Sequence, residues 1–220
     1  MRCLILCVEV VVLAYVGQAN AALIDRGAGL VYDTDRDITW LQDGNYPFTS
    51  GYSTEHHGRM TWDASVSWAT SLEYYDSERD KVWDDWRLPT PNLIGGYNQS
   101  DGEMGHLFYT ELGNKGYVAP DGTMPQPGYG LSNTGPFVNM QPFWYWLGTQ
   151  PSVQSDGYLV SMHIGTQGMH VKSDPYYAWA VRDGDVGVIP EPSMLIIWSL
   201  LGTLAIVGGR WRRKRAVLLR

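Results

Sequence analysis

Apolar and polar positions change period several times along this chain, and each change predicts an element. Leu30, Val31 and Tyr32, then Ile38, Thr39, Trp40 and Leu41, flank a polar run at residues 33–37 and predict two short strands around a turn. Residues 44–59 are polar and glycine-containing, the composition of an irregular exposed loop. Trp62, Val66, Ala69 and Leu72 follow at spacings of four, three and three, one stripe of an amphipathic helix over residues 62–72 that Thr61 would cap. Ser100-Asp101-Gly102-Glu103 has the form of a capping box. It predicts a second helix with Met104, Leu107, Phe108 and Leu112 facing inward, stopped at Gly113. Glycine and proline make residues 117–141 a long loop. Four β-type runs, at 143–148, 158–164, 169–172 and 177–182, then predict an antiparallel meander. Two helices among short antiparallel strands make an α+β domain.

At both ends the pattern gives way to continuous apolar runs. Met1-Arg2 precedes an apolar stretch to Val16, interrupted by Glu9. Ala19-Asn20-Ala21 then offers a small-x-small cleavage site, so residues 1–21 read as a secretory signal peptide. At the other end Pro190-Glu191-Pro192 precedes residues 194–209, sixteen positions without a charge. A bilayer core asks for roughly 20 apolar residues, so this transmembrane helix is marginal, as suits a temporary anchor. Arg210, Arg212, Arg213, Lys214 and Arg215 follow it and should stay on the cytoplasmic side, which places residues 22–189 outside the cytoplasm.

Charge and cysteine content narrow the function. Residues 22–189 carry nine Lys and Arg against 21 Asp and Glu, a net of −12, which argues against nucleic acid or other polyanions as ligands. Neutral glycans, cations or a basic partner remain. Cys3 and Cys7 both lie in the predicted signal peptide, so the exported domain has no disulfide, cysteine nucleophile or thiolate metal site. Asp33, Asp35 and Asp37 alternate as in a calcium loop. Ile38 and Gly44 stand where an EF-hand needs Gly and Glu, which leaves a solvated turn or some other calcium site. The adjacent His56 and His57 point in different directions and read as an exposed loop. His163 and His170 could share a face of neighbouring strands, but further ligands for a metal are not evident. Arg87, in a segment with Trp83 and Trp86, reads as an internal ion pair with Asp84, Asp85 or another carboxylate. Eight Trp and thirteen Tyr fall within residues 22–189, and exposed aromatics stack on sugar faces. Trp144, Tyr145 and Trp146 are the cluster to watch, with Tyr145 facing away from the two tryptophans. No catalytic residue and no cofactor is assigned.

Two resemblances add to this reading. The order Pro190-Glu191-Pro192, apolar helix, arginine-rich cluster resembles the PEP-CTERM sorting signal over residues 190–215. It implies an exosortase-type membrane protease of Gram-negative bacteria as partner, transient anchoring in the inner membrane, and association with exopolysaccharide. Residues 22–189 resemble the Lcl C-terminal-like domain, most specifically at Asp85-Trp86-Arg87-Leu88-Pro89-Thr90, with support from residues 103–109 and 177–185. That resemblance implies a C-type-lectin-like fold: two helices packed on antiparallel sheet, with long loops. It implies a non-catalytic surface domain that binds glycans. The strong negative charge disfavours the sulfated glycans bound by the best-known member. A purely structural envelope protein, or a polysaccharide-active enzyme built on a carboxylate pair, are the alternatives.

Overall fold

Asp33 Oδ1 accepts the backbone N–H groups of Asp35 and Arg36, each at 3.1 Å, and so closes the first predicted turn. In the computed structural model, which describes residues 23–187, that turn joins β2 (Leu30–Asp33) to β3 (Ile38–Leu41), antiparallel with Val31 opposite Trp40. β1 (Leu23–Gly27) pairs with the other edge of β2. A short helix α1 (Tyr46–Thr49) sits in the following loop. Helix α2 covers Trp62–Thr70, and Thr61 Oγ1 accepts the Ala64 N–H at 3.4 Å, the predicted cap. A hairpin of β4 (Tyr74–Asp76) and β5 (Lys81–Trp83) leads on to α3 (Glu103–His106), which runs directly into a π-helical turn, Leu107–Glu111. β6 (Trp144–Trp146), β7 (Asp156–Ser161) and β8 (Gln167–Val171) form a second antiparallel sheet. β9 (Val181–Asp183) returns to the first, whose order is β1-β2-β3-β9.

The architecture is therefore α+β, with every pair of named strands antiparallel and few helices. Three expectations need correction. The predicted meander holds only three strands. The fourth run supplies β9, which pairs with β3 and puts the first and last described strands in one sheet. Ser100 does not cap α3. The N-cap is Gly102, and Glu103 turns its carboxylate away to Arg87. The buried face of α2 runs through Trp62, Ser65, Trp68 and Ala69, while Val66 and Leu72 are only half-buried. Gly113, at φ +60°, does stop the second helix, with Met104, Leu107, Phe108 and Leu112 all buried. Among the described residues no helix is long and apolar enough to cross a membrane; residues 1–21 and 190–215 lie outside them.

Aromatic rings join the two sheets. Trp40 of β3 meets Trp179 edge-on at 5.1 Å, Phe137 closes on Trp179 at 5.0 Å, and Tyr145 of β6 approaches Trp179 at 5.9 Å. Indole N–H groups are spent on backbone carbonyls: Trp62 on Leu147, Trp146 on Met60, Trp179 on Leu41 and Trp86 on Trp83, all at 2.7–2.9 Å. Each such bond satisfies a donor that would otherwise be stranded in the core.

The segment from Asp85 to Thr90 ties this core to both sheets. Arg87 exchanges two backbone hydrogen bonds with Val181 of β9, at 2.8 and 2.9 Å. Its guanidinium grips Glu103 with two prongs, Nη1 to Oε2 at 2.8 Å and Nη2 to Oε1 at 2.7 Å, and also reaches Asp183. The same Glu103 accepts the Thr90 N–H at 2.8 Å. Burial alone would depress the Arg87 pKa; the Glu103 and Asp183 carboxylates outweigh it and hold it above the ordinary value. Asp85 forms a second two-pronged pair with Arg182, both contacts at 2.8 Å. The expected internal ion pair thus exists, with Glu103 and Asp183 as partners rather than Asp84 or Asp85.

Removing Arg87 leaves Glu103 buried without its cation. Arg87→Met should cost about 3 kcal/mol, the low end for a broken buried pair, because 30% of the Arg87 side chain is exposed. Arg87→Lys should recover only part of this, since an ammonium lacks the planar fork; urea unfolding of both variants checks the order.

Acid should act on two other carboxylates. Arg182 holds the Asp85 carboxyl below its ordinary range. Burial works against ionisation of Asp76, but Arg79 and the Trp83 indole N–H hold it low as well. Groups with depressed folded pKa values stabilise the fold above the unfolded value, about 3.9, and lose that contribution as pH falls through the folded one. The melting temperature should therefore drop below roughly pH 4, with a shallower drop in Asp76→Asn, read by circular dichroism at pH 6 and pH 3.

Candidate functional site

The residues singled out in the sequence part into three groups. Ala19, Ala21, the Pro190-Glu191-Pro192 motif and the basic cluster Arg210, Arg212, Arg213, Lys214 and Arg215 lie outside the described residues. Asp85 to Thr90 form the interior brace described above, with Trp86 and Leu88 buried. Trp144, Tyr145 and Trp146 were the sugar-stacking cluster. Tyr145 and Trp146 are 0% exposed and belong to the core. Tyr145 packs on Tyr177 and Trp179, while Trp146 packs on Tyr176, so the two do face opposite sides of the strand. Trp144 is half-buried against the same core. Three adjacent aromatics on a strand packed on both faces are what a two-sided core takes, and stacking on a ligand is closed to Tyr145 and Trp146.

The histidines separate too. His163 lies in the turn after β7 against Tyr129, whereas His170 on β8 meets Asp174 at 3.2 Å and the Tyr176 ring. They share no site. Asp33, expected in a solvated turn, is fully buried, while Asp35 and Asp37 are exposed. Asp33, His106 and Glu111 bring one potential ligand atom each to within 4.8 Å of one another.

An open cleft of about 660 Å³ lies where the loop carrying α1 faces the end of the long 117–141 loop. Its walls are amides and rings. Asn139 and Gln141 come from the long loop, Asn45, Phe48 and Thr49 from the α1 segment, His57 from the turn that follows, and Tyr177 from the approach to β9. The amides are held from behind: Asn139 Nδ2 donates to Asp43 Oδ2 at 2.9 Å, and Gln141 Nε2 donates to the Asn139 carbonyl at 2.8 Å. Tyr145, closed to solvent itself, donates nothing to the cleft but receives the Gln141 backbone N–H on its hydroxyl at 2.8 Å. Phe48 is 43% exposed and meets His57 edge-on at 6.0 Å.

The far wall is strained. His56 and His57 both take left-handed backbone, φ +50° and +58°, which side-chain-bearing residues rarely adopt in succession. Gly58 follows at φ +91°, and a Cβ there would stand 2.3 Å from Asn45 Oδ1, so only glycine permits the turn to close on Asn45. Asn45 Nδ2 donates to the His57 carbonyl at 3.2 Å, yet its Oδ1 is buried without a hydrogen-bond partner. Amide side chains and the exposed Phe48 ring face the cleft, whereas Asn45 Oδ1 is closed to solvent against Gly58. Sequence reading missed the cleft because its walls are single residues from distant loops, each ordinary alone. The local trace of it is the His-His-Gly run, read only as a loop. Searches against family models, curated proteins and solved structures found no match to this chain.

Proposed function

We propose that this chain is an exported surface protein whose C-terminal signal is sorted by an exosortase-type membrane protease, and whose exported domain binds neutral exopolysaccharide without catalysis. The domain fits a C-type-lectin-like design, with the helix pair α2 and α3 on antiparallel sheet and functional side chains on long loops. In this reading the marginal helix at 194–209 anchors the chain in the inner membrane only until sorting is complete. The observation that carries the binding assignment is the wall of the cleft. Amides, rings, a threonine and one imidazole line it. Amide side chains exchange hydrogen bonds with sugar hydroxyls, and exposed rings stack on sugar faces. The acidic exterior suits a neutral polymer better than a sulfated one.

A second reading, protein contacts within an envelope matrix, draws on one feature. Leu93 and Ile94, adjacent at a loop tip, are 67% and 65% exposed.

Affinity electrophoresis of the full chain through native exopolysaccharide should show retardation. Phe48→Ala and Gln141→Ala should each weaken binding about tenfold, close to 1.4 kcal/mol, while Trp144→Ala should leave it unchanged. Retardation equal in all four proteins, or absent from the parent, would count against the cleft. Mass spectrometry of the mature chain should find a new C-terminus close to Pro190-Glu191-Pro192 in cells with the sorting protease, and an intact Arg220 in cells without it.

A further inference from the structure

We infer that Asp33, His106 and Glu111 form a binding site for one divalent transition ion, of the Zn²⁺ type, that clamps the β2–β3 turn to the second helix. The site shares no residue with the cleft and does not depend on the function assigned to it.

The π turn makes the site. His106 and Glu111 are five residues apart, which in an α-helix at 3.6 residues per turn would swing them about 140° from each other. The wider π turn, fixed by the Leu112 N–H to Leu107 carbonyl bond at 3.0 Å, brings them back into line. Glu111 Oε1 then stands 3.1 Å from His106 Nε2. Asp33 enters from the β2–β3 turn, its carboxylate oxygen within 4.8 Å of the other two ligand atoms. Asp35 Oδ2 approaches the same His106 Nε2 at 3.6 Å from the solvent side, with 37% of its side chain exposed. Ligands around a tetrahedral ion at about 2.0–2.1 Å lie roughly 3.3 Å apart. The Glu111 contact to Nε2 is already near that separation, while Asp33, within 4.8 Å, would have to close by up to about 1.5 Å.

A second, independent observation points inward. Asp33 is 0% exposed, and while Oδ1 is used by the turn, Oδ2 has no hydrogen-bond partner. The Trp40 indole N–H is likewise buried without a hydrogen-bond partner. A buried carboxylate oxygen left bare is costly unless something cationic meets it. One imidazole nitrogen among carboxylate oxygens is a borderline donor set. It suits Zn²⁺, or Mn²⁺ with lower affinity, and falls short of the six to eight oxygens of Ca²⁺.

The test uses the full chain in detergent micelles, stripped with chelator and titrated with ZnCl2 alone. One equivalent should bind, and at about 100-fold excess over Kd the melting temperature should rise by roughly 5–10 °C, with CaCl2 giving no comparable shift. Glu111→Gln and His106→Gln should each weaken binding tenfold or more. Should either fail to fold by circular dichroism, the exposed Asp35→Asn should still weaken it severalfold. His170→Gln, on the separate Asp174 pair, should bind as the parent does. No saturable binding at one equivalent, or binding equal to the parent in the Glu111, His106 and Asp35 variants, overturns the site. A larger shift with CaCl2 overturns the choice of ion.

Discussion

Residues 23–187 contain no cysteine, so distant parts of this chain need a cross-link other than a disulfide, and Arg87 supplies one. Its backbone joins β9 by two hydrogen bonds, and its guanidinium joins α3 through Glu103. β9 belongs to the first sheet and α3 to the central helix, so one residue holds three distant segments in register. Geometry explains why arginine is the residue. The planar fork meets both oxygens of Glu103 and still has Nε for Asp183. Glu103 is equally fully used, because Oε2 also takes the Thr90 N–H. Nothing in the pair is left desolvated and unpaired, the condition under which a buried ion pair holds a fold rather than weakening it.

The aromatic interior depends on that brace. Trp179 can contact Trp40, Phe137 and Tyr145 together only because residues 177–181 are drawn in between the two sheets. The β9 register on β3, Trp40 opposite Val181, fixes the Trp179 ring against Trp40, and the hydrogen bond from Trp179 to the Leu41 carbonyl locks it. Large rings bury much area per residue, which lets short strands of three to six residues carry a core. They also explain why the richest aromatic run, residues 144–146, is interior.

Local signals were legible in the sequence and long-range ones were not. The polar turn between Tyr32 and Ile38, the Thr61 cap, the inward face Met104–Leu107–Phe108–Leu112 and the stop at Gly113 each depend on neighbours a few residues away. The pairing of β9 with β3 joins segments about 140 residues apart, and nothing in residues 177–182 distinguishes that partner from β8. Glu103 misled for a related reason. Serine three residues before glutamate is a capping signal only if the glutamate is free to fold back, and this one is committed to Arg87. The π turn left no periodic trace, since Leu107, Phe108 and Leu112 satisfy a helical pattern either way. The candidate sites were the least legible, because the cleft and the Asp33–His106–Glu111 cluster are assembled across loops and turns rather than along an element.

Carboxylates sort themselves by how completely their oxygens are used. Asp76, Asp85 and Glu103 each meet a guanidinium, and Glu103 meets a backbone N–H besides. Replacing such a pair by apolar groups of the same volume would often be neutral, so their presence is explained by register and orientation. Asp33 and Glu111 differ. They are drawn toward each other and toward Asp35 with a single imidazole among them, and Asp33 keeps a bare buried oxygen. Asp33 Oδ1 closes the β2–β3 turn and Glu111 meets His106, yet placing these carboxylates together costs desolvation and mutual repulsion. Asn45 in the cleft repeats the pattern with a neutral group: its amide is anchored on one side and left unpaired on the other. Among the described residues, Asp33 and Asn45 are two of four buried side chains with an unpaired polar atom, the others being Arg36 and Trp40, and each such atom costs stability.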